Sequence, residues 1–151
     1  MTNGERGAVV DSSVAAKWRL KDEDLVEEAE LLLQRYMASK IQLVAPSLIR
    51  YELASVLEKA RRLGRIGGDD VEDSLRYLLG LAVHLDRDSN SLIERASVLA
   101  ADLTLSTYDA TYVALAEDLD VTLVTNDRRI VDRLSEHHVD VCALKDVRSL
   151  L

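Results

Sequence analysis

The sequence predicts a three-layer α/β/α domain built on a central, mainly parallel sheet of about five strands. Three observations lead there. Short β-branched runs alternate with longer stretches of helical periodicity, no segment is long enough to act as a linker, and 151 residues at 48% hydrophobic content supply one sizeable core. Parallel strands need crossover connections, so helices are expected on both faces of the sheet. Residues 8–151 are read as a single domain, preceded by a short flexible arm over residues 1–7.

The elements follow in order. Ala8-Val9-Val10 reads as a short buried strand running into Asp11. Further strands are expected at Gln42–Ala45, Ala82–Leu85, Val121–Thr125 and Val139–Ala143. Helical periodicity covers Ser13–Arg19, Asp22–Ser39, Ser47–Leu63, Asp69–Leu79, Ser89–Asp102, Ser106–Leu119 and Asp127–His137. Pro46 stands before the third of these helices. Asp69 with Glu72 has capping-box spacing, and Gly64, Gly67 and Gly68 punctuate the gap before it.

Composition narrows the function classes. A net charge of −8 argues against gripping nucleic acid by bulk electrostatics, unless the acids converge on a pocket that a cation neutralises. A single cysteine, Cys142, excludes a disulfide framework and a thiolate metal cage. No apolar run approaches the roughly 20 residues of a membrane helix, and the polar N-terminus lacks a secretory pattern. A cytoplasmic location without a membrane partner is therefore expected.

In a parallel α/β sheet, ligands bind beyond the carboxyl ends of the strands. Asp11 follows the first strand, and Asp127 follows the strand ending Val124-Thr125; either also suits a helix N-cap. Asp109, in Ser106-Thr107-Tyr108-Asp109, has capping-box spacing, yet it shares a face with Tyr112, Val113 and Ala116. Glu52 lies within or beside the apolar stripe Ile49, Leu53, Val56, Leu57, Ala60 and Leu63, where an unpaired carboxylate is costly or takes up a proton. Converging, the four would need a cation, and oxygen ligands alone favour Mg²⁺ or Mn²⁺. Such ions suit in-line displacement at phosphates.

These residues sit in motifs that resemble a known family. Val9-Val10-Asp11-Ser12-Ser13, Pro46 to Leu53, Tyr108-Asp109-Ala110-Thr111-Tyr112-Val113-Ala114-Leu115-Ala116 and Val124-Thr125-Asn126-Asp127 resemble a PIN domain, particularly the stand-alone toxins of VapC type. The resemblance implies the PIN fold and a metal-dependent ribonuclease of a toxin–antitoxin pair. It carries over Asp11, Glu52, Asp109 and Asp127 as the acidic quartet, with Ser12 and Thr125 as polar supports. Asp11 and Asp109 are expected as direct ligands, Glu52 directly or through water, and Asp127 orienting water or a second ion. It also implies an RNA substrate, a homodimer and an antitoxin partner. One departure is Ser55, where many members carry Asn; it touches a supporting contact and leaves the ligands intact.

Arg61, Arg62, Arg65, Arg128 and Arg129 are candidate phosphate contacts, weighed against solvated helix ends. His84 and the adjacent His137-His138 are read as structural, since neighbouring helical residues point about 100° apart. Cys142 is expected in the core. Trp18 is ranked as core first, then a partner groove, then stacking on RNA. A haloacid-dehalogenase-type phosphatase would want Asp where Ser13 stands, and no Gly-x-Gly-x-x-Gly follows the first strand. A receiver-type domain would want a strand-end lysine facing the acids. The remaining rival is a PIN-like module that binds or supports without nuclease activity.

Overall fold

The computed structural model describes residues 6–81 and 88–151. Among these, four strands form one sheet in the order β2-β1-β3-β4: β1 (Gly7–Val10), β2 (Gln42–Val44), β3 (Thr122–Thr125) and β4 (Val141–Ala143). All three pairings are parallel, with Val9 opposite Val44 and Leu123, and Val124 opposite Cys142. The fifth strand expected at 82–85, and His84 with it, lies outside the described residues. Gly7 pairs with Gln42, so β1 takes in the last residue of the expected arm.

Ala8, Val9, Val10, Leu123, Val124 and Thr125 are all buried. Successive strand residues face opposite sides, so β1 and β3 are covered on both faces, which explains their continuous rather than alternating hydrophobicity. The helices are α1 (Ser12–Ala15), α2 (Val26–Met37), α3 (Leu48–Arg62), α4 (Gly68–Gly80), α5 (Asn90–Leu103), α6 (Thr107–Leu119) and α7 (Arg128–Leu134). A 3₁₀ turn, Ala16–Trp18, continues α1, and another, Leu144–Ser149, closes the chain. Helix α6 packs on β1 and β3 and against α5, while α3 pairs with α4 and α7 covers β3 and β4.

Several boundaries move for local reasons. Helix α2 starts at Val26 rather than Asp22 because Leu25 is left-handed, at φ 54°. The turn before α4 uses Asp70, whose carboxylate accepts from the Gly67 N–H at 3.3 Å, in place of the Asp69–Glu72 box. In α3 the buried stripe is Ile49, Leu53, Leu57 and Ala60. Leu63, expected to extend it, is exposed at the helix end. Trp18 is buried and donates from Nε1 to the Ala29 carbonyl at 2.9 Å, which agrees with its first-ranked place in the core. Cys142 is only half-buried. His137 and His138 lie beyond the end of α7, and His138 meets Glu117 at 2.6 Å instead of capping the helix.

The order of connections positions the site. From β1 the chain moves out to β2, then returns through α3–α6 to β3 on the other side of β1. Connections therefore leave β1 and β3 in opposite directions, opening a crevice at their carboxyl ends, the point where parallel α/β sheets bind ligands.

Candidate active site

Asp11 and Thr125 stand at that crevice. Asp11 caps α1 with extended backbone, its carboxylate accepting from the Val14 N–H at 3.3 Å and from the Ser13 hydroxyl. Its other oxygen accepts from the Thr125 hydroxyl, which in turn accepts from the Asp127 N–H at 3.0 Å. The Asn126 N–H donates to Ser13 Oγ at 2.9 Å. The loops after β1 and β3 are thus tied by side-chain hydroxyls. The carboxylate of Asp11 therefore caps α1 through one oxygen and faces the β3 loop with the other.

Asp11 is buried at 5% exposure, and none of these partners is a cation. Burial pushes its carboxyl up to about 6. The hydrogen bonds from Ser13, Thr125 and Val14 pull the other way, and the charge of Glu52 adds to the rise.

Glu52 is half-buried on α3, and its Oε1 accepts from the Tyr112 hydroxyl of α6. Its carboxyl is also raised, first by burial; the Tyr112 bond lowers it and the charge of Asp109 raises it again. The Ser12 hydroxyl contributes a hydrogen bond here.

Asp109 and Asp127 complete the set. The Ser106 hydroxyl caps the Asp109 N–H at 3.0 Å, but the Asp109 carboxylate turns to Arg129, with Nη2 to Oδ2 at 3.5 Å. Asp127 is the N-cap of α7, accepting from the Arg129 N–H at 2.9 Å and pairing with its Nη2 at 2.8 Å. Arg129 holds the Asp127 carboxyl below its usual range. Arg129 thus joins the Asp109 and Asp127 carboxylates, and Thr125 links the Asp127 backbone to Asp11.

Among the described residues, no group of three His, Cys, Asp or Glu side chains is close enough to hold an ion as placed. The donor chemistry nevertheless fits a hard divalent cation. All four acids offer oxygen only, and Asp11 and Glu52 are raised carboxyls with no cationic partner among the described residues.

The sequence profile of the PIN domain matches residues 8–136. The chain belongs to the PIN-domain family. Ribonuclease VapC9 of Mycobacterium tuberculosis is 36% identical over 124 residues, covering 82% of this chain and 88% of that protein. Ribonuclease VapC3 of Pyrobaculum aerophilum is 31% identical, covering 83% and 92%. In fold, the chain is similar to the crystal structure of PAE2754 from Pyrobaculum aerophilum, with a TM-score of 0.70 at 22% identity, covering 97% and 96%. It is also similar to VapC20 of Mycobacterium tuberculosis, described as a sarcin-ricin loop cleaving toxin, with a TM-score of 0.63 at 19% identity, covering 89% and 98%.

In this PIN domain the candidate arginines are placed differently from one another. Arg65 forks onto Asp22 at 2.7 and 2.8 Å and reaches Glu23 at 3.0 Å, while Arg61 forks onto Glu58. Arg62 is exposed at the end of α3. Arg128 is 92% exposed, 3.7 Å from Asp132, and Arg129 joins the acids. Two contributors escaped the sequence reading. Ser13 enters the sequence reading only as part of the motif after the first strand, and it braces Asp11. Tyr112 was seen only as a marker of the inward face, and it binds Glu52. Its position three residues after Asp109 was the available signal.

Proposed function

We propose that this PIN domain is an endoribonuclease dependent on Mg²⁺ or Mn²⁺, hydrolysing RNA phosphodiester bonds as the toxin of a toxin–antitoxin pair. The observation that carries the reading is Asp11 at the crevice, a buried carboxylate whose partners are hydroxyls and an amide. The relatives' names support it, since VapC9 and VapC3 are both called ribonucleases. When bound, a divalent cation supplies charge that promotes attack of water on a phosphate and stabilises the leaving oxygen.

The chain's own groups prepare the pocket. Ser13 and Thr125 fix both oxygens of Asp11, and Tyr112 fixes Oε1 of Glu52. These constraints set carboxylate direction before any ion arrives, which lowers the ordering cost of binding. Asp11 and Asp109 are the proposed direct ligands, with Glu52 direct or through water and Asp127 orienting water or a second ion. Arg61, Arg62, Arg65, Arg128 and Arg129 are the proposed phosphate contacts. Arg128 is more accessible than Arg61, Arg65 or Arg129.

The test is cleavage of RNA by the wild type, Asp11→Asn and Asp109→Asn with Mg²⁺, Mn²⁺ or a chelator. Cleavage should need the metal and fall sharply in both variants; variants as active as the wild type would sink the site assignment. Calorimetry with Mn²⁺ addresses the rival reading, because a purely structural module shows no binding that depends on the quartet. A homodimer, an antitoxin partner and a cytoplasmic location belong to the same proposal. Solved structures of similar fold include a VapBC-1 complex of nontypeable Haemophilus influenzae. No helix of the described residues is long and apolar enough to cross a membrane. Light scattering on the protein alone, and with the product of an adjacent small reading frame, measures both assemblies.

A further inference from the structure

Arg129 is the only cation that the structure places against the acids of the crevice among the described residues. It meets Asp127 through three groups: its own N–H at 2.9 Å, Nε at 3.3 Å and Nη2 at 2.8 Å. The same Nη2 stands 3.5 Å from Asp109 Oδ2, on a different helix 20 positions away in sequence. A guanidinium is always charged and cannot be switched off by pH. Only a competing cation or a competing anion can separate it from these carboxylates.

The strength of the bridge decides what it can do. Arg129 is 72% exposed, and the carboxylates of Asp109 and Asp127 are 24% and 26% exposed. A solvated pair of this kind contributes about 0–1 kcal/mol, enough to set a preferred arrangement and too little to lock it. Arg129 therefore neutralises one side of the pocket when no ion is present and yields to a more concentrated charge. By contrast, Asp11 and Glu52 have hydroxyl partners and, among the described residues, no cation.

We propose that Arg129 is a positioning residue that competes with the divalent cation, bridging Asp109 and Asp127 in the empty pocket and releasing them when the ion enters. The inference rests on the metal-dependent reading above. Once released, the guanidinium remains anchored beside the pocket with its donors free, a form suited to a phosphate group of RNA. One side chain would then serve the carboxylates before loading and the substrate after it.

The experiment is calorimetric titration of Mn²⁺ into the wild type, Arg129→Ala, Arg129→Gln and Arg133→Ala, in low and high salt and without RNA. Removing the competing charge should tighten Mn²⁺ binding up to about fivefold in both Arg129 variants, with a smaller gain in high salt. Arg133→Ala removes a charge on the same helix that makes no salt bridge among the described residues, and should stay within about twofold of the wild type. Unchanged or weaker Mn²⁺ binding in the Arg129 variants would overturn the proposal. If the wild type binds Mn²⁺ in an Asp11-dependent way while the Arg129 variants do not tighten, the metal reading survives and this inference alone falls. If none of the proteins binds Mn²⁺, both fall.

Discussion

Asp11 shows how a buried carboxylate works against the stability of its own fold. Its carboxyl titrates near 6 in the folded chain against an ordinary 3.8, because burial outweighs three hydrogen bonds. A raised carboxyl favours folding only while protonated, so this contribution is complete below pH 3.8 and is lost as pH rises through about 6. The loss is on the order of 3 kcal/mol at neutral pH without a cation. Asp11→Asn should therefore melt higher than the metal-free wild type at pH 8 and show no such advantage at pH 4.5, while losing RNA cleavage. Calorimetric melting at the two pH values checks the sign. Thr125 is the complementary case. Its hydroxyl serves Asp11 and the Asp127 N–H at once, so Thr125→Val leaves two buried groups short of a partner. Stability should fall by about 1–3 kcal/mol and activity by about 10–100-fold, with Thr125→Ser recovering most of both.

At the scale of elements, the helices carry the acids by their ends and the strands carry them by their exits. Helix α6 runs antiparallel to the strands, so Asp109 in its first turn arrives at the carboxyl end of β1 and β3, while Glu117 reaches the opposite end. Its C-cap, Asp120, and the C-cap of α5, Thr104, are both left-handed, at φ 52° and 54°. Thr is β-branched and tolerates that region less well than Asp, whose short polar side chain suits it. Thr104→Gly should stabilise the chain by about 1 kcal/mol, and Asp120→Gly by less. Thermal denaturation of the two variants measures the difference; equal gains would contradict the steric account. The same local geometry explains why α2 begins later than its periodicity suggests. Hydrophobic spacing registers the buried Ala29 and Leu32, and it carries no signal for the left-handed turn at Leu25.

Across the whole molecule, the two ends of the sheet hold separate charge clusters. At the carboxyl ends of the strands, Arg129 meets Asp109 and Asp127. The far end holds Glu117 between Arg95, at 2.6 and 2.7 Å, and His138, at 2.6 Å. Arg95 is the main reason the Glu117 carboxyl is held down to about 2, with His138 assisting. A lowered carboxyl stabilises the fold above its ordinary value of 4.5 and loses that contribution as pH falls toward 2. Glu117→Gln should therefore lower the melting temperature at pH 7 and make little difference near pH 2. RNA cleavage should be unaffected, since the cluster lies at the opposite end of α6 from Asp109. A loss of cleavage would show that the two ends are coupled.

The four acids were legible because each lies at a place with a local signature: after a strand, in a first helical turn, or beside an apolar stripe. Layer order was legible for a related reason, since a strand buried on both faces must read as a continuous apolar run, as Ala8-Val9-Val10 does. The resemblance to PIN domains rested on motifs that are short in sequence. What local pattern does not hold is the partner of each side chain. Nothing in the spacing says that Thr125 spans 114 positions to brace Asp11, or that Tyr112 spans 60 to hold Glu52. Arg65 and Arg129 look alike in sequence as candidate phosphate contacts, yet one is committed to Asp22 and the other bridges two pocket acids. Sequence by itself determined which residues are acidic, apolar or helix-starting, because these follow from chemistry within a few positions. Tertiary structure decided which charges meet, because the crossover from β2 to β3 brings distant segments to one crevice and sets their distances there.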